Sequence, residues 1–231
     1  MDWTPLIGRR YPMEPAALRL ATLVHQLGTP RSQGPVVSVI EGEGRLLALD
    51  HLLLHPTTLA YLLIDEFRRG PDSGDRRSST ARQVRRLVTS EERLHRPTGR
   101  RGGWTGGSGG GAGHRVFEPP TWRRLDDVLA YLGNRDLLRT TANPGTLAYG
   151  VTRRGAEVLE QRYYPSGRLA SLHLQLCAVL AEAPFLAQHR DLEARLRDVA
   201  VALGAFRSDE QVPPEADLLP SLFYDTFQEQ L

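Results

Sequence analysis

A mainly α-helical fold is what this sequence of 231 residues predicts, and three observations lead to it. Apolar residues recur at spacings of three and four, as on the buried face of a helix. The first such stripe is Leu20, Leu23, Val24 and Leu27. Glycine or proline stands where these segments end, so the first helix is expected over 14–27, just before Gly28. β-branched runs are short, and the run at 36–40 predicts a strand.

Two further helices are predicted around Pro56. The second helix covers residues 45–55, because a proline pushes the residue before it out of the α region. Thr57 or Thr58 is expected to cap a third helix over 59–67. Two apolar helices this close together are expected to pack as an angled pair, the usual opening of a helix-turn-helix.

A helix, a hairpin and a capped helix are predicted between residues 118 and 163. The helical stripe consists of Trp122, Leu125, Val128, Leu129 and Leu132. Strands over 137–141 and 147–151 flank a Pro-Gly turn, and Thr152 is expected to cap a helix over 153–160. This order is the ending of a winged helix, in which the hairpin is the wing. The sequence therefore predicts a winged helix-turn-helix core. Its inward positions are expected to include Leu49, Leu53, Leu62, Leu125, Leu129 and Val151.

Four regions follow from this pattern. Residues 1–68 hold the N-terminal helices and the first helices of the winged helix, and residues 118–163 complete it. Between them, 69–117 is predicted to be a flexible basic insertion rich in Gly and Arg, because its glycine-dominated part buries too little surface to offset chain entropy. A short basic helix is expected within the insertion, over 79–94. Residues 164–231 form a C-terminal helical extension and tail, with helices expected over 169–180 and 192–203.

Charge is unevenly distributed along the chain. All 29 basic residues are arginine, which is consistent both with a GC-rich genome and with selection for phosphate-binding guanidinium groups. Residues 68–115 hold twelve arginines and four acidic residues, a net charge of +8, and the rest of the chain has a net charge of −6. Such asymmetry can mark an interaction surface. The candidate nucleic-acid-binding residues are Arg100, Arg101, Arg123, Arg124, Arg139, Arg153 and Arg154.

The helix before the wing has a mixed charge, because Asp126 and Asp127 stand beside Arg123 and Arg124. Phosphate repels carboxylates, so a specific reading of the major groove is less favoured here than protein binding or a weak backbone contact. The tail is the candidate partner-binding segment, since it is too apolar to be left in water and is expected to dock on the body or on a partner. Its candidate residues are Leu218, Leu219, Leu222, Phe223, Tyr224 and Phe227.

No enzymatic chemistry is predicted. The chain lacks the common motifs of nucleotide binding and nucleophilic catalysis, and we expect no catalytic residue, no metal and no cofactor. His51 and His55 have the i, i+4 spacing of metal ligands, but such a pair more often lies on a helix surface or completes a hydrogen bond. A single cysteine excludes an internal disulfide. Without a 20-residue apolar run or a signal-peptide pattern, a cytoplasmic protein is expected.

The pattern resembles the middle component, a winged-helix accessory subunit, of bacterial ABC-three-component and Lamassu-type antiphage defence systems. The resemblance is carried by the opening helix Leu46–Pro56, by residues 122–138 with their L-x-x-R-D-L-L ending, and by the wing exit Val151–Gly155. It implies a non-catalytic adaptor that sits on an SMC-like ABC ATPase, contacts double-stranded DNA without sequence preference and holds an effector subunit. The alternative is a winged-helix transcriptional regulator that binds DNA as a homodimer.

Overall fold

The computed structural model describes residues 13–70, 73–95, 125–143, 145–183, 192, 196 and 215–229. The elements are, in chain order, α1 (Met13–Leu27), β1 (Thr29–Pro30), β2 (Val36–Glu41), α2 (Glu43–Leu54), α3 (Pro56–Arg69), α4 (Gly74–His95), α5 (Leu125–Gly133), β3 (Leu138–Asn143), β4 (Thr146–Thr152), α6 (Arg153–Val158), α7 (Arg168–Glu182) and α8 (Glu215–Phe227). The fold is mainly α with a winged-helix core, as the sequence predicts.

The chain divides into two compact units. Unit 1 comprises residues 1–46 and 119–178, and unit 2 comprises 47–118 and 179–231. The boundaries fall inside α2 and α7, so each of these helices contributes to both units.

Unit 1 contains the winged helix. Its antiparallel sheet has the order β1-β2-β4-β3, so the second strand of the hairpin lies in the middle, paired with both β2 and β3. Helix α1 packs on β2, β4 and α5 through the predicted stripe, in which Leu20, Leu23 and Val24 are buried. Gly28 follows the last residue of α1, and a side chain would not fit there, because a Cβ would lie 2.9 Å from the Val39 nitrogen of β2. The strand pairing is that of a winged helix, with β3 and β4 as the wing.

The junction between the wing and α6 explains the V-T-x-x-G pattern. The Thr152 hydroxyl oxygen accepts a hydrogen bond of 2.9 Å from the Gly155 amide, which confirms the predicted cap. The same hydroxyl donates to the Asp136 carbonyl oxygen and so ties the cap to the entry of β3. A Cβ at Gly155 would lie 2.1 Å from the Leu137 carbonyl oxygen, so only glycine permits this close approach. Beyond Val158 the helix widens into a π-helical turn, Leu159–Tyr163.

Unit 2 is built around α3, α4 and α8. Helix α3 packs along α4, and α8 contacts both of them. The buried apolar residues of this core include Leu59, Leu62, Leu63, Phe67, Val84, Leu87, Leu219, Phe223 and Phe227. Pro56 occupies the first position of α3, where its missing N–H is not needed. The prediction of a threonine cap at Thr57 or Thr58 is wrong, because His55 is the capping residue and makes no side-chain cap hydrogen bond.

The structure corrects two predictions about the inward positions of the winged-helix core. Leu49, Leu53 and Leu62 are buried, but they belong to unit 2 and not to the winged-helix core. Leu129, predicted to point inward, is only half-buried, and Leu132 is the fully buried residue at the end of α5. The angled α2–α3 pair exists, with a bend of 106°. However, α3 is grouped with α4 and α8 in unit 2. The helix that precedes the wing is the one over 125–133, α5, as the sequence predicts.

The helix predicted over 79–94, within the basic insertion, is confirmed. It is longer than expected, because residues 74–95 form α4, which buries Ala81, Val84, Leu87 and Ser90 inside unit 2. Regular burial every third residue supplies the apolar area that the glycine-dominated segment lacks. Residues 96–124, most of 184–214 and the predicted helix over 192–203 lie outside the described residues, except that Leu192 and Leu196 are buried.

Where the structure is described, no single helix is long and apolar enough to cross a membrane. Helices α2 and α3 meet the length and composition criterion only as a bent pair.

Candidate partner-binding and nucleic-acid-binding surfaces

Helix α5 holds the place of the recognition helix in the winged helix. Its buried face consists of Leu125 and Leu132, while Asp126 and Asp127 in its first turn are exposed. Carboxylates in this turn suit the positive end of the helix dipole, so the helix itself favours them there. At the other end, the Arg135 guanidinium lies 3.7 Å from the centre of the Tyr131 ring. The described outer face of α5 therefore begins with two negative charges.

The wing contributes one arginine, and that arginine is paired. The Arg139 Nη2 atom donates to the Asp136 Oδ1 atom at 3.0 Å, and both side chains are about half exposed. Asp136 is itself held in the left-handed region, with a φ of 53°. The described parts of α5 and the wing contain three aspartates and two arginines, namely Asp126, Asp127, Asp136, Arg135 and Arg139. The described part of this surface therefore has a net negative charge, which does not favour a phosphate backbone.

Arg153 and Arg154 at the wing root differ from Arg139. Both are exposed at the start of α6, and neither forms an ion pair with any residue that the structure describes. The other four candidate nucleic-acid-binding residues, Arg100, Arg101, Arg123 and Arg124, lie outside the described residues.

The inner side of the wing is fixed to the start of α2. Tyr149 is buried on β4, and its hydroxyl donates to the Glu43 carboxylate at 3.4 Å. Burial, and then the negative charge of Glu43, raise the pKa of Tyr149 to about 12. The Gly42 amide donates to the Leu147 carbonyl oxygen at 2.8 Å, while the Leu147 side chain remains 41% exposed. These contacts hold the hairpin in one orientation relative to the strand β2.

Three large apolar residues of the tail are packed inside unit 2. Leu219, Phe223 and Phe227 are buried, and the Phe227 ring lies 5.1 Å from the Phe67 ring of α3. Of the two predicted alternatives, these three residues follow docking on the chain's own body. Binding of a partner by the tail stays a prediction. Tyr224 is exposed and Leu222 is half-buried, while the side chain of Leu218 lies outside the described residues.

An arginine clamp holds the tail on α4. The Arg85 guanidinium lies 5.2 Å from the centre of the Phe223 ring and donates to the Glu229 carboxylate at 2.6 Å. Arg76 makes a similar contact with Phe67, at 5.3 Å, and donates to the Glu66 carbonyl oxygen. Arg76 and Arg85 lie in the basic segment, whose composition suggests contacts with a charged ligand. In the structure they instead stabilise the packing of unit 2.

The outer face of α4 carries two further arginines that the sequence analysis did not single out. Arg82 and Arg86 are exposed one helical turn apart, on the side opposite Val84 and Leu87. Neither forms an ion pair with a described residue. A sequence signal was present, because residues 76–90 contain five arginines and no acidic residue.

The histidines are placed in packed surroundings. The rings of His51 and His55 lie 4.4 Å apart, and burial, followed by the neighbouring His55, lowers the pKa of His51 to about 3. In unit 1, His25 shares a hydrogen bond of 2.8 Å with the Tyr164 hydroxyl, and burial lowers its pKa. Tyr163 on the π-helical turn bonds the buried His173 at 2.8 Å. Within the described ranges, no three His, Cys, Asp or Glu side chains are grouped as metal ligands would be.

Comparison with protein-family models, with curated proteins and with solved structures finds no match to this chain.

Proposed function

We propose that this chain is a non-catalytic winged-helix adaptor subunit of an SMC-like ABC ATPase complex in antiphage defence, working in the cytoplasm. In this proposal it contacts the ATPase, holds an effector subunit and touches double-stranded DNA without sequence preference. The assignment to this class of complex rests on the resemblance of the opening helix, of residues 122–138 and of the wing exit.

One observation carries the preference for an adaptor over a DNA reader. The recognition position is occupied by a helix whose first turn exposes Asp126 and Asp127, and the wing arginine Arg139 is already paired with Asp136. A helix inserted into the major groove passes between two phosphate backbones, which repel carboxylates. A protein surface with basic groups would instead be attracted to the same helix.

A winged-helix transcriptional regulator is the second candidate. Exposed Arg153 and Arg154 at the wing root favour it, since a wing root commonly lies near the DNA backbone. A regulator should bind a defined duplex by itself, whereas an adaptor should bind DNA alone only weakly and with no preference for sequence.

The test is co-purification of the tagged chain with an SMC-like ATPase encoded by a neighbouring gene. The charge-reversed variant D126R/D127R should reduce the amount of ATPase recovered, because it removes the proposed acidic contact. The matched control E157R/D225R changes the charge equally at exposed acidic residues elsewhere and should leave recovery unchanged. A chain that recovers no ATPase and binds one operator at nanomolar concentration would establish the regulator instead.

A further inference from the structure

We propose that the outer face of α4, formed by Ser78, Arg82, Arg86 and Thr89, is the surface through which this chain binds the phosphate backbone of double-stranded DNA. This inference rests on the proposed function, which includes a DNA contact without sequence preference. It assigns that contact to unit 2 and not to the wing.

The first argument is the geometry of the helix. Residues four apart on an α-helix lie on the same face with a rise of about 6 Å between them, so Arg82 and Arg86 point outward together. Ser78 precedes Arg82 by four residues and Thr89 follows Arg86 by three, so both hydroxyl side chains belong to the same exposed face. The opposite face, with Val84 and Leu87, is fully buried and fixes the orientation of the arginines.

The second argument is the contrast with those exposed arginines that are already ion-paired. Arg31 pairs with Glu41 at 3.3 Å and Arg69 pairs with Asp65 at 3.2 Å. On α4 itself, Arg85 is held by Glu229 and Phe223. Arg82 and Arg86 have no such partner among the residues that the structure describes. Their donors therefore remain available to an external anion.

The third argument distinguishes nucleic acid from an acidic protein. A protein interface normally has an apolar or aromatic centre surrounded by polar groups. The exposed side chains of α4 between Ser78 and Thr89 are hydroxyl groups and arginines, and the large exposed apolar residues Leu147, Leu169 and Tyr224 lie on other elements. The Thr89 hydroxyl already donates to the Arg85 carbonyl oxygen, so the donors of this face are the two guanidinium groups and the Ser78 hydroxyl. Such donors without an apolar centre are what contacts to phosphate oxygens require, and these contacts carry no sequence information.

The test is the salt dependence of duplex binding by the purified full-length chain, measured by fluorescence anisotropy with a short labelled duplex. Each phosphate contact contributes about 0.9 to the slope of log K against log salt. The slope is negative, and the variant R82Q/R86Q should therefore reduce its magnitude by roughly 1.8. It should also weaken binding at least about tenfold near 0.1 M salt. Two duplexes of different sequence should give the same result.

The matched control is R31Q/R69Q, which removes two positive charges from exposed arginines that are already ion-paired. It should change the slope by less than about 0.5, since these guanidinium groups are occupied in the free chain. Thermal unfolding of all variants should agree with the wild type, because the substituted side chains are exposed.

Three outcomes would overturn the inference. The wild-type chain shows no duplex binding at low salt, R82Q/R86Q behaves like the control, or R82Q/R86Q loses ATPase recovery while its DNA binding is intact. The last result would identify the face as a protein contact. Failure of the proposed function is recognised separately, because it concerns ATPase recovery by the wild-type chain and not duplex binding.

Discussion

Helices α4 and α5 each bury an apolar face in their own unit, but their exposed faces carry opposite charges. Helix α5 occupies the recognition position of a winged helix and exposes Asp126 and Asp127. Helix α4 lies in unit 2, where no DNA-reading motif would be expected, and exposes Arg82 and Arg86. The comparison teaches that position in a DNA-binding fold does not make a helix a DNA reader. The charge and the pairing of its outer side chains decide what it can bind.

The largest expected effect concerns the tail, because its residues Phe223 and Glu229 contact Arg85 but form no ion pair with Arg82 or Arg86. Phe223→Ala should lower the free energy of unfolding by about 3–5 kcal/mol, as truncation of a fully buried phenylalanine does. The neighbouring Tyr224→Ala, at an exposed position, should change it by less than about 0.5 kcal/mol. Chemical denaturation followed by circular dichroism measures both. Equal small effects would mean that α8 does not pack on α3 and α4 in solution.

A second test concerns the orientation of α5. Leu132→Ala should destabilise the protein by about 2–5 kcal/mol, because Leu132 is fully buried and a cavity remains. Leu129→Ala should cost clearly less, since its side chain is half-buried. The two unfolding curves compare the variants directly. If Leu129→Ala were the more damaging variant, α5 would be rotated and the exposed position of Asp126 and Asp127 would be in doubt.

Lowering the pH should reduce the stability of unit 2, because His51 is buried in the neutral form. Its folded pKa of about 3 lies below the unfolded value of 6.5, so the neutral form is favoured by folding. The stability it contributes is present in full above pH 6.5 and is lost as the pH falls toward about 3. Between about pH 6 and pH 4 the loss should approach 1.4 kcal/mol per pH unit for this one proton.

His51→Gln should remove most of that pH dependence, measured as the unfolding free energy at several pH values. His55→Gln should leave most of it in place, because burial is a larger cause of the lowered pKa than the neighbouring imidazole. A variant without His51 that keeps the full acid sensitivity would show that other groups, such as the half-buried His25 of unit 1, dominate instead.

Local patterns predicted the elements of this fold, and non-local packing decided their grouping. Four predicted features depend only on residues within a few positions: the stripe of α1, the break at Pro56, the hairpin and the Thr152 cap. The structure confirms all four, whereas the predicted threonine cap of α3 is wrong. The grouping of α3 with α4 and α8 depends on contacts such as Phe67 with Phe227, which no short window contains.

For the candidate site residues too, some properties follow from the local sequence and others only from tertiary contacts. The exposed aspartates of α5 could be predicted from helical phase alone. That Arg85 would be occupied and Arg82 unoccupied could not, because Glu229 lies 144 residues further along the chain. Composition identified a basic segment, but only the tertiary contacts separate the arginines that stabilise the fold from those that are available to a ligand.

The smallest expected effect is also the sharpest test of the comparison between α4 and α5. Neutralising the recognition helix with D126N/D127N should change duplex affinity by less than about twofold if DNA lies on α4, because the two carboxylates then contact no phosphate. A regulator that presents α5 to the groove should instead gain several-fold affinity when two repelling carboxylates are removed. The matched control E157Q/D225N removes the same charge from exposed positions on α6 and α8 and corrects for the change in net charge. Anisotropy measurements on all three proteins at one salt concentration are sufficient. Unchanged DNA affinity together with reduced ATPase recovery would identify α5 as a protein-binding helix, and a several-fold gain specific to D126N/D127N would return the DNA contact to the winged helix.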